Sequence, residues 1–248
     1  MLIGAFIGAV AALHFGSPWA GFFFAGFAGM ALAALYGLFV IYLGSDQIVV
    51  GTAINFLAMG AIPLFSKIFY DSTGSTPSLP LTARFEYFPM VFVWLVFGLV
   101  WSWVKYSASG LWHGFAGEHP EALDAAGLPV NKIRFYSVLF SGMLAGWGGA
   151  SLSIYLASSY SRNMVAGRGF MALAALIFGK WRPAPALIAC LFFAFTDAVQ
   201  MQLQSVRIGG NVLPVQFIQI LPYIATILVL SGFVGASLAP KAIGSVFN

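Results

Sequence analysis

Apolar runs of about 20 residues recur from one end of this chain to the other, the length a helix needs to cross the hydrocarbon core of a membrane. Of 248 residues, 60% are hydrophobic, 17% are aromatic and only 7% are charged. That leaves too few charges to cover the surface of a soluble domain. The mean hydropathy of +0.93 agrees. The chain therefore reads as all-α: a single domain over 1–248, built as a polytopic bundle of membrane helices in contact with lipid. The formal charge of +4 does not point to nucleic acid. Lys and Arg stand singly at the ends of apolar runs, where they act as topology signals. Cys190 is the only cysteine, so an internal disulfide and a cysteine metal cluster are both excluded. The opening MLIGAFIGAV lacks a basic n-region and reads as a first membrane helix, not a cleaved signal.

About eight hydrophobic segments are expected, at 2–15, 20–43, 48–69, 87–104, 134–157, 168–179, 184–203 and 213–233. The first is short for a span. The sixth is shorter still and is expected to be a broken or re-entrant helix, completed by irregular backbone inside the protein. Lys105, Lys132 and Arg134 bracket a long polar loop, which puts that loop in the cytoplasm. Counting outward, 70–86, 158–167 and 204–212 are external, and both termini are cytoplasmic. The bias is small: six basic residues fall inside, and five (Lys67, Arg84, Arg162, Arg168 and Arg207) fall outside.

Small residues recur at helical spacing: Gly4 with Gly8; Gly21, Ala25, Gly29 and Ala33; and Gly142 with Gly146, flanked by Ala145 and Gly149. Such faces let helix backbones approach closely in lipid. They indicate a compact bundle and say nothing about a substrate.

The chain carries no engine of its own. A P-loop needs a glycine-rich turn ending in Gly-Lys-Ser/Thr. The nearest candidate, Gly179-Lys180, is followed by Trp181 and has Ala174 where the first glycine belongs. His14, His113 and His119 have no metal-ligand spacing, and no two carboxylates pair on one membrane helix. No catalytic residue, metal or cofactor is therefore expected.

Two polar spots lie at membrane depth. Asp197, Gln200 and Gln204 share a helix face through their i, i+3 and i+7 spacing. A carboxylate at mid-membrane costs about 2.5–3.5 kcal/mol on insertion scales, so Asp197 must face protein or water. Either it lines a pathway near the outer end of its helix, or it pairs with a neighbouring helix. Asn55, inside the third segment, either contacts a polar solute in transit or bonds to another helix.

The polar loop holds GEHPEALDAAG, residues 117–127, with carboxylates at Glu118, Glu121 and Asp124. Pro120 suits helix entry, Gly127 the C-terminal stop, and Pro129 follows as a breaker. Glu118 and Glu121 are expected in the first turn, where carboxylates meet the positive end of the helix. Leu123 and Ala126 supply a small apolar side. The pattern predicts a capped helix of two to three turns over about 117–128, displayed between two spans and suited to a partner's groove. The plain alternative is a solvated linker.

GEHPEALDAAGLPVNKIRFYSVLFSGMLAGWGGA resembles the cytoplasmic coupling-helix region of ATP-binding cassette (ABC) importer permeases of the ribose, branched-chain amino acid and nucleoside group. RNMVAGRGFMALAALIFGKWRPAPALIACLFFAFTDAVQMQLQ is similar to the nucleoside-type permeases that work with a basic-membrane-protein lipoprotein, and GSDQIVVGTAINFLAMG resembles the same branch. The resemblance covers about 44–240. The chain is short for the family, with a reduced N-terminal membrane portion. The resemblance implies a permease of the bacterial inner (plasma) membrane. It implies three partners: a second permease subunit, a cytoplasmic ABC ATPase and an extracytoplasmic substrate-binding lipoprotein. It also implies that Gly117, Glu118, Pro120, Glu121, Ala125, Ala126 and Gly127 form the ATPase-docking motif. Gly167, Arg168, Gly169 and Phe170 match the turn before the broken segment. The implied cargo is a nucleoside, with sugars and branched-chain amino acids as alternatives. A secondary transporter or channel would call for more charge at mid-membrane or for internal repeats. A membrane scaffold without transport is the reading from another class.

Overall fold

The computed structural model describes residues 1–203, 207–208, 211–212 and 238–245. The expected segment 213–233 and Gln204 lie outside the described residues. The chain divides into two compact units, one of residues 1–166 with 241–248, the other of residues 167–240.

The first unit holds α1 (Leu2–Phe15), α2 (Pro18–Gly37), α3 (Gln47–Tyr70), α4 (Phe88–Tyr106), α5 (Ala108–Glu118), α6 (Pro120–Ala125) and α7 (Val130–Ala150). α2 and α7 continue as π-helical turns over Leu38–Tyr42 and Ser151–Leu156. Local chemistry sets several ends. Gly16 takes a left-handed conformation (φ 62°) that stops α1, and Pro18 opens α2 with φ already fixed. The Asp46 carboxylate accepts hydrogen bonds from the amides of Ile48 and Val49 at 2.9 and 3.0 Å, capping α3 at its positive end.

α1, α2 and α7 form the core of this unit. The expected small-residue faces are the contact surfaces: a methyl added to Gly4 would lie 2.6 Å from the Gly146 carbonyl oxygen, and one on Gly142 would lie 2.6 Å from that of Gly29. Only glycine allows backbones so close. Gly149 abuts the carbonyl of Met1, so α1 begins alongside the Ala150 end of α7, away from its Val130 end. Phe22 stacks on Trp147 with centroids 5.3 Å apart, and Phe85, Phe88 and Phe92 meet Phe22 edge-on, which draws α4 into the cluster.

Beyond the Leu156 end of α7, two loops are knitted together. The Thr76 amide donates to the Tyr160 carbonyl at 3.0 Å, and the Tyr160 amide donates to Thr76 Oγ1 at 2.9 Å. The Leu79 amide donates to the Ser158 carbonyl at 2.8 Å. The two loops expected outside, 70–86 and 158–167, thus meet at one end of the unit. α5, α6 and residues 241–245 gather at the other end, beside Val130.

The second unit holds α8 (Arg168–Phe178), α9 (Pro183–Leu203) and a short hairpin, β1 (Arg207–Ile208) with β2 (Asn211–Val212). Among the described residues, that hairpin and one isolated bridge between Ser75 and Ser161 are the only β pairing, and all else regular is helical.

Among the described residues, five helical stretches are long and apolar enough to cross a membrane: Pro18–Tyr42, Gln47–Tyr70, Leu81–Tyr106, Val130–Leu156 and Pro183–Leu203. α1 and α8, of 14 and 11 residues, are shorter than a span.

Candidate functional site

The polar loop is more structured than its sequence suggests. It contains two helices, where one was expected. Ser107 joins α4 to α5: its hydroxyl donates to the Trp103 carbonyl at 2.6 Å and accepts from the Gly110 amide at 2.9 Å. The Trp103 indole donates to Ser109 Oγ at 2.8 Å, and the Trp103 ring lies 4.6 Å from that of His113. Gly110 packs on the backbone of Val104, 2.6 Å from where its methyl would sit, so the turn admits no larger residue.

α5 ends at Glu118, and His119, at φ −143° and ψ 73°, breaks the helix. Pro120 then opens α6, as expected of a residue that needs no amide partner there. α6 runs for six residues, Pro120–Ala125. It closes on left-handed Gly127 (φ 76°), and the Leu128 amide returns to the Leu123 carbonyl at 3.2 Å. That is the six-to-one bond of a glycine-terminated helix.

Three expectations are corrected here. The helix is shorter than 117–128, because His119 interrupts it. Glu118 is the last residue of α5 and not in a first turn; only Glu121 holds that place. Ala126 is exposed, so Leu123 alone carries the apolar side. Leu123 is 4% exposed and packs with Ala116, Val130, Leu128 and Ile133. This single anchor turns Glu118, Glu121, Asp124 and Ala125 outward. Gly117 is half-buried at the elbow.

In the second unit, Asp197 Oδ2 lies 3.6 Å from Arg168 Nη2, with each side chain 27% exposed. Gly167, at φ 76°, turns the chain into α8 and puts Arg168 on its first turn. Gln200 is half-buried, three residues along α9 from Asp197. Phe193 and Thr196, which share this face of α9 by helical spacing, are buried, with Phe193 against Phe178 at 5.5 Å. Asn55 is exposed on α3, in the first unit.

Sequence reasoning assigned no side-chain partner to two basic residues. Arg168 is the partner of Asp197. Arg134 donates to the Ala116 carbonyl from Nε and Nη2, at 3.3 and 3.1 Å. Neither link has a periodic signal, because 29 and 18 residues separate the partners.

Residues 1–230 match the sequence profile of a family described as branched-chain amino acid transport system / permease component. The chain belongs to that permease family. The match starts at residue 1, so the likeness reaches α1 and α2, beyond the 44–240 that carried the resemblance. The permease is 34% identical to the guanosine ABC transporter permease protein NupQ of Bacillus subtilis, over 98% of its own length and 84% of that protein. It is 32% identical to the nucleoside ABC transporter permease protein NupC of Lactococcus lactis, with the same coverage. It is 30% identical to a Haloferax volcanii protein, TsgC13, provisionally named a glucose ABC transporter permease, over 93% of this chain and 80% of that one. No solved structure matches the permease.

Proposed function

We propose that this permease is the membrane subunit of an ABC importer for nucleosides, working in the plasma membrane with a second permease subunit, a cytoplasmic ATPase and a substrate-binding lipoprotein. Its nearly full-length likeness to permeases named for guanosine and nucleosides carries the reading. A provisional glucose permease among its relatives keeps sugars as the second reading. The class is tested in proteoliposomes holding the assembled transporter. ATP-dependent import of labelled guanosine is expected. Import of glucose instead would move the substrate class, and import that ignores ATP would overturn the ABC reading.

In this proposal the whole chain is one permease domain of eight membrane segments, with α8 as the broken one. Non-glycine residues in left-handed conformations flank α8, Ala166 before it and Lys180 and Trp181 after it, as expected of helix ends completed by irregular backbone. α6 is the coupling helix, with Gly117, Glu118, Pro120, Glu121, Ala125, Ala126 and Gly127 forming its docking surface. The support is its anchoring by Leu123 with the polar side turned outward. ATP-driven closure of the ATPase pair would move α6 and swing the pathway between outward and inward openings. Replacing Leu123 with aspartate puts a carboxylate into an apolar pocket, which expels α6. Co-purification of the ATPase is expected to fall about tenfold, a change of roughly 1.4 kcal/mol, while membrane insertion stays normal. Undiminished ATPase binding would remove the docking role.

The α5–α6 end is cytoplasmic in this reading, on the strength of Lys105, Lys132 and Arg134. The carboxyl-terminal segment shares that side, which its bond from the Ala242 amide to the Gly117 carbonyl supports. The amino terminus has no such support, since Met1 lies beside Gly149. Single cysteines in a Cys190→Ser background check the assignment. Cysteines at Asp124 and Lys241 are expected to label from the cytoplasm, and one at Ser75 from outside. Labelling of Ser75 and Asp124 from one side would show that α4 does not cross.

The exposed parts of Asp197 and Gln200, with Gln204 beyond them in sequence, line the solute pathway, and Asn55 contributes from α3. The supporting observation is the 27% exposure of the Arg168–Asp197 pair. A charged pair at membrane depth must meet water or another chain, not lipid.

A further inference from the structure

A helix leaves its last four carbonyls without intrahelical donors. At the end of α5 three of these groups accept hydrogen bonds, one from the elbow residue His119 and two from more distant stretches of chain. The Phe115 carbonyl accepts from the His119 amide at 2.8 Å. The Ala116 carbonyl accepts from Nε and Nη2 of Arg134, on the first turn of α7. The Gly117 carbonyl accepts from the Ala242 amide at 3.0 Å. The same Arg134 reaches with Nη1 to the Ser245 carbonyl at 3.0 Å. Ser245 in turn donates from its hydroxyl to the Ala242 carbonyl at 2.8 Å, which folds 242–245 into a turn. One guanidinium thus ties the end of α5 and the tail to the start of α7. A planar fork of several donors is needed for this, and lysine has none.

We propose that Arg134 and the segment Lys241–Ser245 form a clamp on the α5–α6 elbow, which makes α6 move as one body with α7. This rests on the docking role of α6 given above. Alone, α6 is a short helix with one buried side chain, joined to α5 through the non-helical His119. Push such a helix and the elbow bends. With the Ala116 and Gly117 carbonyls held, the push passes instead into α7, whose glycine face meets α1 and α2. Arg134 is a positioning residue here and touches no solute. The tail belongs to the transmission.

The test uses the reconstituted transporter and reads ATP hydrolysed per solute imported. Three changes are compared: Arg134→Met, a chain ended at Pro240, and both together. Each is expected to retain the ATPase on co-purification and to raise ATP used per solute about fivefold, the order of effect from losing one or two hydrogen bonds. The combined change is expected to be no worse than either alone, since both remove one device. Arg134→Lys, which keeps the charge without the fork, is expected to behave as Arg134→Met. If Arg134→Met lowers the yield of folded permease, the shortened chain decides, because its membrane helices are untouched. An unchanged ratio in the shortened chain, or effects that multiply in the combination, overturns the clamp. A second readout is independent of the ATPase. In isolated permease with Cys190→Ser, an Ala242→Cys thiol is expected to label about tenfold faster when Arg134→Met is added, as a locally opened segment does. Equal labelling rates overturn the clamp even where α6 docks. Failure of docking alone shows separately, as ATPase retained by the Leu123→Asp chain.

Discussion

Gly142→Leu is expected to remove most of the folded permease. A first methyl there would already lie 2.6 Å from the Gly29 carbonyl oxygen, with the Ala33 side chain closer still, and leucine adds three more carbons. α7 cannot retreat, because its other glycines are engaged: Gly146 and Gly149 hold α1 through Gly4, Met1 and Ala5. Overpacking of this kind costs about 1–3 kcal/mol or more where the backbone is pinned. The yield of monodisperse permease in detergent is therefore expected to fall at least about tenfold, since roughly 1.4 kcal/mol is a factor of ten. Gly60→Leu and Gly98→Leu are the matched controls. Both sit in candidate spans, yet neither has an atom within 4 Å of the added methyl. Their yields are expected to stay near that of the unaltered permease. A Gly142→Leu chain that runs like its controls would show that α2 and α7 do not meet through this face.

That face was legible in the sequence, and the reason is geometric. Close helix approach requires small residues at every turn, and lipid supplies no competing reason for such a row. The rows themselves follow from spacing alone, while the pairing of Gly29 with Gly142 and of Gly4 with Gly146 is set by the fold. Helix extents were legible too: 2–15 is α1, 168–179 covers α8, and 184–203 lies within α9. The interruption at His119 was not. Glu118 and Pro120 around it suit one capped helix as well as two, and the choice falls to the Leu123 pocket and to Arg134, which are tertiary. α5 was missed because its few large apolar residues, Leu111, Trp112 and Phe115, stand in a short stretch that also holds Gly110, Gly114 and Gly117, which weakens the helical signal. The π-helical ends of α2 and α7 insert an extra residue per turn without altering composition, so nothing in the pattern marks them. Arg168 shows the same limit from the other side. It read as a basic residue weakening the topology count, and only the fold reveals that a carboxylate stands 3.6 Å from it.

That pair leads to the second large effect. Asp197→Asn leaves the Arg168 cation without its carboxylate partner at a partly exposed position of the second unit. If the pair serves only to hold α8 on α9, the loss appears as less assembled transporter, and exchanging the two charges restores it. If the exposed face of Asp197 meets the solute, as proposed, the loss appears in transport itself. The expected result is the second. Uptake per assembled complex falls about tenfold in Asp197→Asn, the order of effect of a lost charged contact of roughly 1.5–3 kcal/mol. The double change Arg168→Asp with Asp197→Arg is expected to recover assembly but not uptake. Pairing energy is nearly symmetric on exchange, whereas a solute meets a cation where it had met an anion. Gln200→Ala, one turn along the same face and outside the ion pair, is expected to raise the KM for the imported nucleoside without lowering assembly. The measurement is initial uptake rate divided by complex recovered from the same vesicles. Full recovery of uptake by the exchanged pair would reject the pathway role and leave Asp197 as a packing residue, since a pathway lining responds to the sign of its charge and a strut does not.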